Sequence, residues 1–410
     1  MKSSYFNQAI AHTKSSLKRF IASGDAALLW LTFLLLFVAF VFSARTAQPF
    51  GDIPLYNLYA SNIWRHAIPY RDFHIEYPPG VLPFILLPQL VSFLTKAYSF
   101  GYIVMSSSVV FWLLRDTYHR YDRRRVVLLS LLLLVFGRFA FFQLDIFAAA
   151  ALYLCLRTLI DHHFGSSAIL LAIATLIKAY PLVCLPAMLL VLPKDQVWKY
   201  LRILSTVLVI GLLPFVIISP AGFWYSIAYH TGRPVDISSG PAAVGFMAHL
   251  FGAPIRAVFS HGSVALIFPG AHIVGLLSSI LLAIGLIVTS VYLFIQKNHT
   301  QVALGCLALV MVFIIFFKVG SPQYLLVPVL LYLPASNELG NRNSGKLWLR
   351  LFLIVFVVFV TVLFYSIWKV RAPQLGGGLL VIIRTALEVE LLAWVLGKIK
   401  SVPTKKIASN

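Results

Sequence analysis

The chain is a succession of long apolar runs separated by short polar segments. Three of these runs, Ala26–Ser43, Ile273–Ile295 and Leu347–Ile367, have the roughly 18 or more apolar residues that are typical of a membrane-spanning helix. None of them alternates apolar and polar residues, so the spanning elements are helices and not barrel strands. The pattern therefore predicts an all-α multi-pass membrane protein, with residues 1–410 forming a single integral membrane domain.

About 12 transmembrane helices are predicted, and together they form a single helical bundle. The predicted spans cover residues 26–43, 98–114, 126–140, 144–160, 166–178, 181–193, 200–219, 272–295, 300–317, 321–335, 347–367 and 378–397.

Two further apolar segments are predicted to lie along the membrane surface and not to cross it. Residues 80–94 form a short segment that contains Pro83 and Pro88, which interrupt a helix. Counting this segment as a span would also place the basic block at residues 115–125 on the outer side of the membrane, whereas basic loops are typically cytoplasmic. Residues 53–66 have apolar, Trp and Tyr side chains at helical spacing, which suits a helix at headgroup level.

The distribution of positive charge predicts the orientation. The chain has 33 Lys and Arg, 13 Asp and Glu and a formal net charge of +20, and its mean hydropathy is +0.89. With the N-terminus inside, 21 of the 33 cations lie in inner segments, as expected for cytoplasmic loops. We therefore predict a cytoplasmic leader (1–25), a first outer catalytic loop (44–97), a second outer loop (220–271) and a cytoplasmic tail (398–410). The favoured location is a prokaryotic plasma membrane, with the site facing the periplasm or the cell exterior.

Three of the 13 acidic residues lie within residues 50–80, in the first outer loop. Asp52 follows a Gly and begins a predicted helix, so its carboxylate is either a helix N-cap or a general base for a sugar hydroxyl. Glu76 precedes two prolines, which fix a rigid corner where the carboxylate is either solvated or positioned for catalysis. Asp72 is expected to pair with a neighbouring arginine or to cap a turn.

Candidate cations for an anionic substrate lie in the same outer region. Lys178 separates two short predicted spans at "IKAYP"; it is either a phosphate ligand or a side chain that extends to the interface. Asp145 is expected to pair with Arg138 or Lys178. Arg233 lies in a loop bounded by Gly and Pro, where anion binding is favoured. The other candidate substrate-binding residues are Tyr56, Arg71, Tyr77, Tyr180, Lys318 and Gln323.

Several classes of site are absent from the sequence. It has no Walker A loop, dinucleotide fingerprint, HExxH pair or GxSxG elbow, so a nucleotide-driven cytosolic enzyme is unsupported. The three cysteines lie in apolar segments and have no metal-type spacing with histidine. A hard cation shared by Asp52 and Glu76 is the less favoured alternative to metal-free chemistry, and no cofactor is expected.

The motifs resemble those of the GT-C superfamily of lipid-linked glycosyltransferases. The segments "GDIPLY", "PYRDFHIEYPPG", "RFAFFQLDIFAAAALYL", "LIKAYPLVCLPAML", "GRPVDISSGPA" and "SPQYLLVPVLL" occur in that order between residues 48 and 335. Together they are similar to glycosyltransferase family 87, the polyprenol-phosphate-mannose-dependent mannosyltransferase and arabinofuranosyltransferase group.

The resemblance implies an inverting transfer of a sugar, with mannose favoured, from a polyprenyl-phosphate donor to a glycolipid or glycan acceptor. It assigns the general base to Asp52, while Lys178 and Arg233 contact the donor phosphate. The expected partners are therefore the donor, the acceptor and the membrane lipids around the protein, and no nucleic acid is expected to bind. Two other classes stay open: a transporter or flippase of lipid-linked sugars, for which paired polar breaks in two related halves are not seen, and an assembly subunit of an envelope complex.

Overall fold

The computed structural model describes residues 24–44, 51–95, 97–296, 301–364 and 375–401. The structure is 81% helical, with 15 helices in the described part of the chain. The predicted leader (1–25) and tail (398–410) lie largely outside the described residues.

The helices are numbered here in chain order, and three short 3₁₀ turns connect some of them. The α-helices are α1 Asp25–Ser43, α2 Ile53–Trp64, α3 Leu82–Thr95, α4 Tyr98–Arg120, α5 Arg123–Phe142, α6 Asp145–Ile160, α7 Phe164–Ile177, α8 Leu185–Val191, α9 Lys194–Ile218, α10 Pro220–Gly232, α11 Ala242–Leu250, α12 Ala271–Gln296, α13 Val302–Phe316, α14 Leu326–Phe364 and α15 Leu375–Ser401. The 3₁₀ turns are Pro79–Val81, Tyr180–Cys184 and Pro322–Leu325, and the two strands are β1 Arg256–Ser260 and β2 Ser263–Ile267.

Within the described residues, each predicted span coincides with helical structure; residues 300 and 365–367 of the predicted spans lie outside them. The spans predicted at 321–335 and 347–367 correspond to the turn Pro322–Leu325 and to α14, where Gly340 with φ 70° interrupts the helix between them. Five helices among the described residues are long and apolar enough to cross a membrane: Asp25–Ser43, Arg123–Phe142, Lys194–Ile218, Ala271–Gln296 and Pro322–Leu363. This supports a helical membrane protein, while the number of about 12 spans stays a prediction.

The interior of the bundle is formed by α13 and its neighbours. Every residue from Val302 to Ile315 is buried. Protein therefore surrounds this helix, which explains why it is apolar on all sides. By contrast, only 6% of the apolar window of α9 and 11% of that of α12 is buried. Their exposed apolar surfaces are those that hydrocarbon chains would cover.

The second long loop, residues 220–271, contains an element that the sequence reasoning missed. β1 and β2 form an antiparallel hairpin in which Arg256 pairs with Ile267 and Ser260 with Ser263. The two turn residues, His261 and Gly262, have φ values of 51° and 70°, as a two-residue hairpin turn requires. The all-α prediction is therefore incomplete here, because His-Gly is a weaker hairpin signal than Asn-Gly.

Candidate active site

Asp52 is held in place by the glycine before it. Gly51 has φ +56°, and a Cβ at this position would lie 2.7 Å from Nε2 of Gln143 and 3.0 Å from the carbonyl oxygen of Phe142. Only glycine combines this backbone conformation with so close an approach. The turn therefore docks the start of α2 onto the junction between α5 and α6.

The Asp52 carboxylate is not used to cap α2. Asp52 occupies the N-cap position, yet its side chain makes no capping hydrogen bond. It also forms no ion pair within the described residues. Of the two interpretations left open by the sequence, the structural cap is therefore not the one realised, and the carboxylate is left uncommitted.

Tyr56, one turn after Asp52, joins helix α2 to the junction between α5 and α6. Its fully buried side chain accepts a hydrogen bond from the backbone N–H of Leu144 at 3.4 Å and lies 3.3 Å from Oε1 of Gln143, to which its hydroxyl donates. The structure thus places Tyr56 beneath the site as a support for Asp52.

The corner "EYPPG" brings Glu76 and Tyr77 to the same region. The Tyr70 hydroxyl donates to the carbonyl of Tyr77 at 2.6 Å, and Nε2 of His230 lies 2.8 Å from the carbonyl oxygen of Glu76. Burial lowers the pKa of His230, so the ring is neutral near pH 7 and its Nε2–H donates. Two contacts from separate segments, the loop at Tyr70 and helix α10, therefore hold this corner.

Lys178 lies at the break between α7 and the following 3₁₀ turn. The residue is extended (φ −145°, ψ 130°), and its side chain is buried. Nζ is 3.3 Å from Oδ2 of Asp145, 4.7 Å from the centroid of the Tyr77 ring and 5.8 Å from that of Tyr324. The side chain is therefore enclosed by protein at this break, and its role at a phosphate stays a prediction.

The Asp145–Lys178 pair confirms one of the two partners expected for Asp145. The Asp145 carboxylate is fully buried at the start of α6, where the helix dipole favours a negative charge. The side chain of Gln323 also faces it, and the Gln323 Oε1 accepts a 2.7 Å hydrogen bond from Ser321. Gln323 therefore helps to complete the surroundings of this pair.

Asp52, Glu76, Asp145, Arg138 and Lys178 form one electrostatic group, which we call the charged cluster. Burial is the largest influence on Asp52, and it raises the pKa of this carboxyl from 3.8 to about 6. Lys178 and Arg138 oppose that rise in the pKa, whereas the negative charges of Glu76 and Asp145 add to it. The result is a carboxylate whose proton affinity suits a general base near neutral pH.

Arg233 and Lys318 belong to an adjacent group. The Arg233 guanidinium lies 3.6 Å from Oδ2 of Asp236, donates to Ser263 Oγ, and covers the Tyr229 ring at 5.8 Å. Lys318 Nζ donates to the carbonyl of Thr231 at 2.7 Å. Tyr324 and His230 each interact electrostatically with both Lys178 and Arg233, so the two groups are neighbours.

Two residues predicted to bind the substrate, Arg71 and Tyr180, are not members of the charged cluster. The Arg71 side chain is 52% exposed and pairs with Asp72 at 2.8 Å, while Asp72 also accepts a 2.7 Å hydrogen bond from the Ile68 N–H. This confirms both roles expected of Asp72 and keeps Arg71 on the exposed side of the loop. The buried Tyr180 ring lies 5.5 Å from the ring of Phe313, so Tyr180 packs against α13.

Sequence reasoning missed a buried ion pair in the last helix. Arg384 lies 3.2 Å from Glu388, both are buried, and the Arg384 guanidinium donates to the carbonyl of Ser238. Ser238 in turn donates from its N–H and its hydroxyl to Asp236, the partner of Arg233. Ionisable residues within an apolar run are a functional signal by default, and this signal was present in the sequence.

In the described ranges of the chain, no group of three or more His, Cys, Asp or Glu residues is placed to hold a metal ion. Among these residues, no third His, Cys, Asp or Glu side chain is therefore placed to complete a metal site with Asp52 and Glu76.

A sequence profile of glycosyltransferase family 87 matches residues 73–322, which is well over half of the chain. This chain belongs to glycosyltransferase family 87. The matched region includes Glu76, Asp145 and Lys178, whereas Asp52 and the last helix lie outside it. No curated protein matches the chain at significant similarity. The membership makes the protein a glycosyltransferase with a sugar donor and an acceptor.

Proposed function

We propose that this protein transfers a sugar, with mannose the first candidate, from a polyprenyl-phosphate donor to a hydroxyl of a glycolipid or glycan. The reaction takes place at the outer face of the plasma membrane, where the first long loop meets the bundle. The observation that carries the proposal is the uncommitted Asp52 carboxylate, whose pKa is about 6 beside the buried Lys178. Such a pairing of base and cation suits the displacement of a phosphate by an alcohol.

The chemistry needs one proton transfer and one displacement. Asp52 takes the proton of the acceptor hydroxyl while the oxygen forms a bond to the anomeric carbon. The bond from that carbon to the phosphate oxygen breaks on the opposite face, so the configuration inverts. The leaving polyprenyl phosphate carries the electron pair as a stable anion and needs positive charge more than it needs an acid.

Lys178 and Arg233 supply that positive charge. Lys178 is fixed between Asp145 and two tyrosine rings, so its ammonium is preorganised before the donor binds. Arg233 is held on the neighbouring loop, and a guanidinium can bind phosphate oxygens in a bidentate manner. Electrostatic groups that are fixed in advance need no rearrangement during the reaction.

Glu76 is the second carboxylate of the site. It lies close enough to Asp52 to raise the pKa of that residue, and the rigid corner fixes its backbone. We propose that Glu76 binds the acceptor substrate: its carboxylate would accept a hydrogen bond from a hydroxyl next to the one that attacks. Removing it should weaken acceptor binding and lower the proton affinity of Asp52.

The surroundings of the site support a lipid-linked donor. The cluster lies within a bundle of apolar helices, five of which are long enough to cross a membrane, and the sequence has no loop for a nucleotide phosphate. A sugar that reaches this location is most simply delivered on a lipid whose tail stays in the bilayer.

The test uses the full chain in lipid nanodiscs with radiolabelled polyprenyl-phosphate mannose, polyprenyl-phosphate arabinofuranose and nucleotide-linked mannose in parallel. Extracted envelope glycolipids serve as acceptors. We expect transfer from one of the two lipid-linked donors, with an inverted anomeric configuration in the product and no transfer from the nucleotide sugar. Movement of the intact lipid-linked sugar across proteoliposomes without any transfer would favour a transporter instead.

A further inference from the structure

Four rings form a continuous surface beside Glu76, and we call it the aromatic wall: His74, Tyr225, Tyr229 and His261. The His74 and Tyr225 rings stack with centroids 4.1 Å apart, Tyr225 lies 6.1 Å from Tyr229, and Tyr229 lies 5.2 Å from His261. The four come from three segments: the loop before the corner, helix α10 and the hairpin turn. Such convergence of distant segments requires the folded chain.

The aromatic wall begins at the charged cluster. The Tyr229 hydroxyl donates to the carbonyl of His261, and Tyr229 interacts electrostatically with the Glu76 carboxylate. His230, the next residue along α10, binds the carbonyl of Glu76 at 2.8 Å. The wall and the catalytic corner are therefore one connected unit, so a molecule resting on the wall reaches towards Glu76.

The far end of the aromatic wall is exposed. Tyr225 is 42% exposed, and His74 and His261 are exposed as well. The exposed ion pair of Arg71 and Asp72 lies just before His74 in the chain. Ionisable side chains of this kind do not face hydrocarbon, so an aromatic surface among them is open to a dissolved or headgroup-borne ligand. Apolar patches rimmed by polar groups commonly mark binding sites.

We propose that the aromatic wall is the acceptor subsite and that it binds a sugar ring of the acceptor. A sugar ring presents C–H groups on its face, which pack against aromatic rings, and hydroxyls at its rim, which hydrogen-bond to histidine and tyrosine. The wall offers both kinds of contact, and it leads to the carboxylates that would activate the attacking hydroxyl. This inference rests on the proposed function, and it assigns the sugar of the glycolipid or glycan acceptor to the aromatic wall.

The test compares two neighbouring exposed residues of α10. Tyr225→Ala removes the ring that stacks on His74, whereas Trp224→Ala removes a 66% exposed ring for which no ring contact with the wall is found among the described residues. Transfer is measured in nanodiscs to octyl α-mannopyranoside and to octanol, which has the same chain without the sugar. For Tyr225→Ala we expect the KM for octyl mannoside to rise about tenfold, with the KM for the donor and the rate of donor hydrolysis unchanged.

The control Trp224→Ala should keep the acceptor KM of the wild type, and Tyr225→Phe should retain most of the stacking. Octanol accepted as well as octyl mannoside, or an unchanged acceptor KM in Tyr225→Ala, would overturn the inference. Binding is also measured without turnover, by saturation-transfer NMR with mannotriose. Contact signals that are present in the wild type and lost in Tyr225→Ala support the wall even if the transfer proposal fails. Equal or absent signals in both proteins would contradict it.

Discussion

Replacing Asp52 with asparagine should make the protein more stable at pH 8, because the folded structure disfavours the ionised carboxylate. Burial raises the pKa from 3.8 to about 6, and each unit corresponds to about 1.4 kcal/mol. The full shift is worth about 3 kcal/mol, and partial exposure of the side chain reduces the expected gain to about 1–3 kcal/mol.

The sign follows from linkage. A carboxyl group whose pKa is raised on folding binds protons more tightly in the folded state, so the wild type loses stability as the pH rises from 3.8 through about 6. Asparagine cannot ionise, so the variant escapes that loss. The advantage of Asp52→Asn should therefore be full at pH 8 and should vanish near pH 4.

The assay is reversible denaturation in lipid-detergent micelles at several pH values between 4 and 8. Asp161→Asn is the matched control, because hydrogen bonding to Arg120 lowers the pKa of Asp161, and that control should lose stability at neutral pH where Asp52→Asn gains it. An Asp52→Asn variant that is equally or less stable than the wild type at pH 8 would refute the account of this carboxylate as a buried, uncommitted base.

Three further predictions concern the same site. The kcat/KM of the wild type should rise about tenfold per pH unit below about pH 6 and then level off, because Asp52 must be ionised to act as a base; a flat profile from pH 5 to 7 would contradict this. Lys178→Met should cost about 3–5 kcal/mol of stability, since it leaves Asp145 buried without its partner. The double variant Lys178→Met/Asp145→Leu should recover stability without activity, and recovered transfer would exclude a role for this lysine at the phosphate. Arg384→Lys should keep the pair with Glu388 but lose the guanidinium hydrogen bond to the Ser238 carbonyl, so we expect a higher donor KM and a loss of about 1–3 kcal/mol of stability; a donor KM equal to that of the wild type would show that the last helix does not position the Arg233 loop.

The helices could be predicted from the sequence because burial in lipid demands long apolar runs. Local rules also located Asp52 at a helix start and Glu76 at a proline corner, since Gly and Pro act on their immediate neighbours. What these carboxylates contact could not be predicted in the same way. The bond between His230 and the carbonyl of Glu76 joins residues 154 apart in the chain, and no local pattern encodes it.

Other features needed the fold for a different reason. The sequence offered Asp145 two partners, Arg138 and Lys178, and only the placement of the α7 break against α6 selects Lys178 at 3.3 Å. The hairpin of the second long loop depends on a His-Gly turn, for which the local preference is weak. Arg384 is the instructive case, because its charge within an apolar run was visible and was passed over.

If Asp52 is the base of a sugar-transfer reaction, its loss must slow the single-turnover transfer of labelled mannose from polyprenyl-phosphate mannose. Wild type, Asp52→Asn and Glu76→Gln are compared at pH 8, each shown to be folded by its unfolding midpoint. We predict that Asp52→Asn transfers about 10²–10⁴-fold more slowly, a loss of about 3–5 kcal/mol of transition-state stabilisation. We also predict that it keeps the donor KM of the wild type, while Glu76→Gln is affected mainly through the acceptor. Transfer by Asp52→Asn at the wild-type rate would contradict the account.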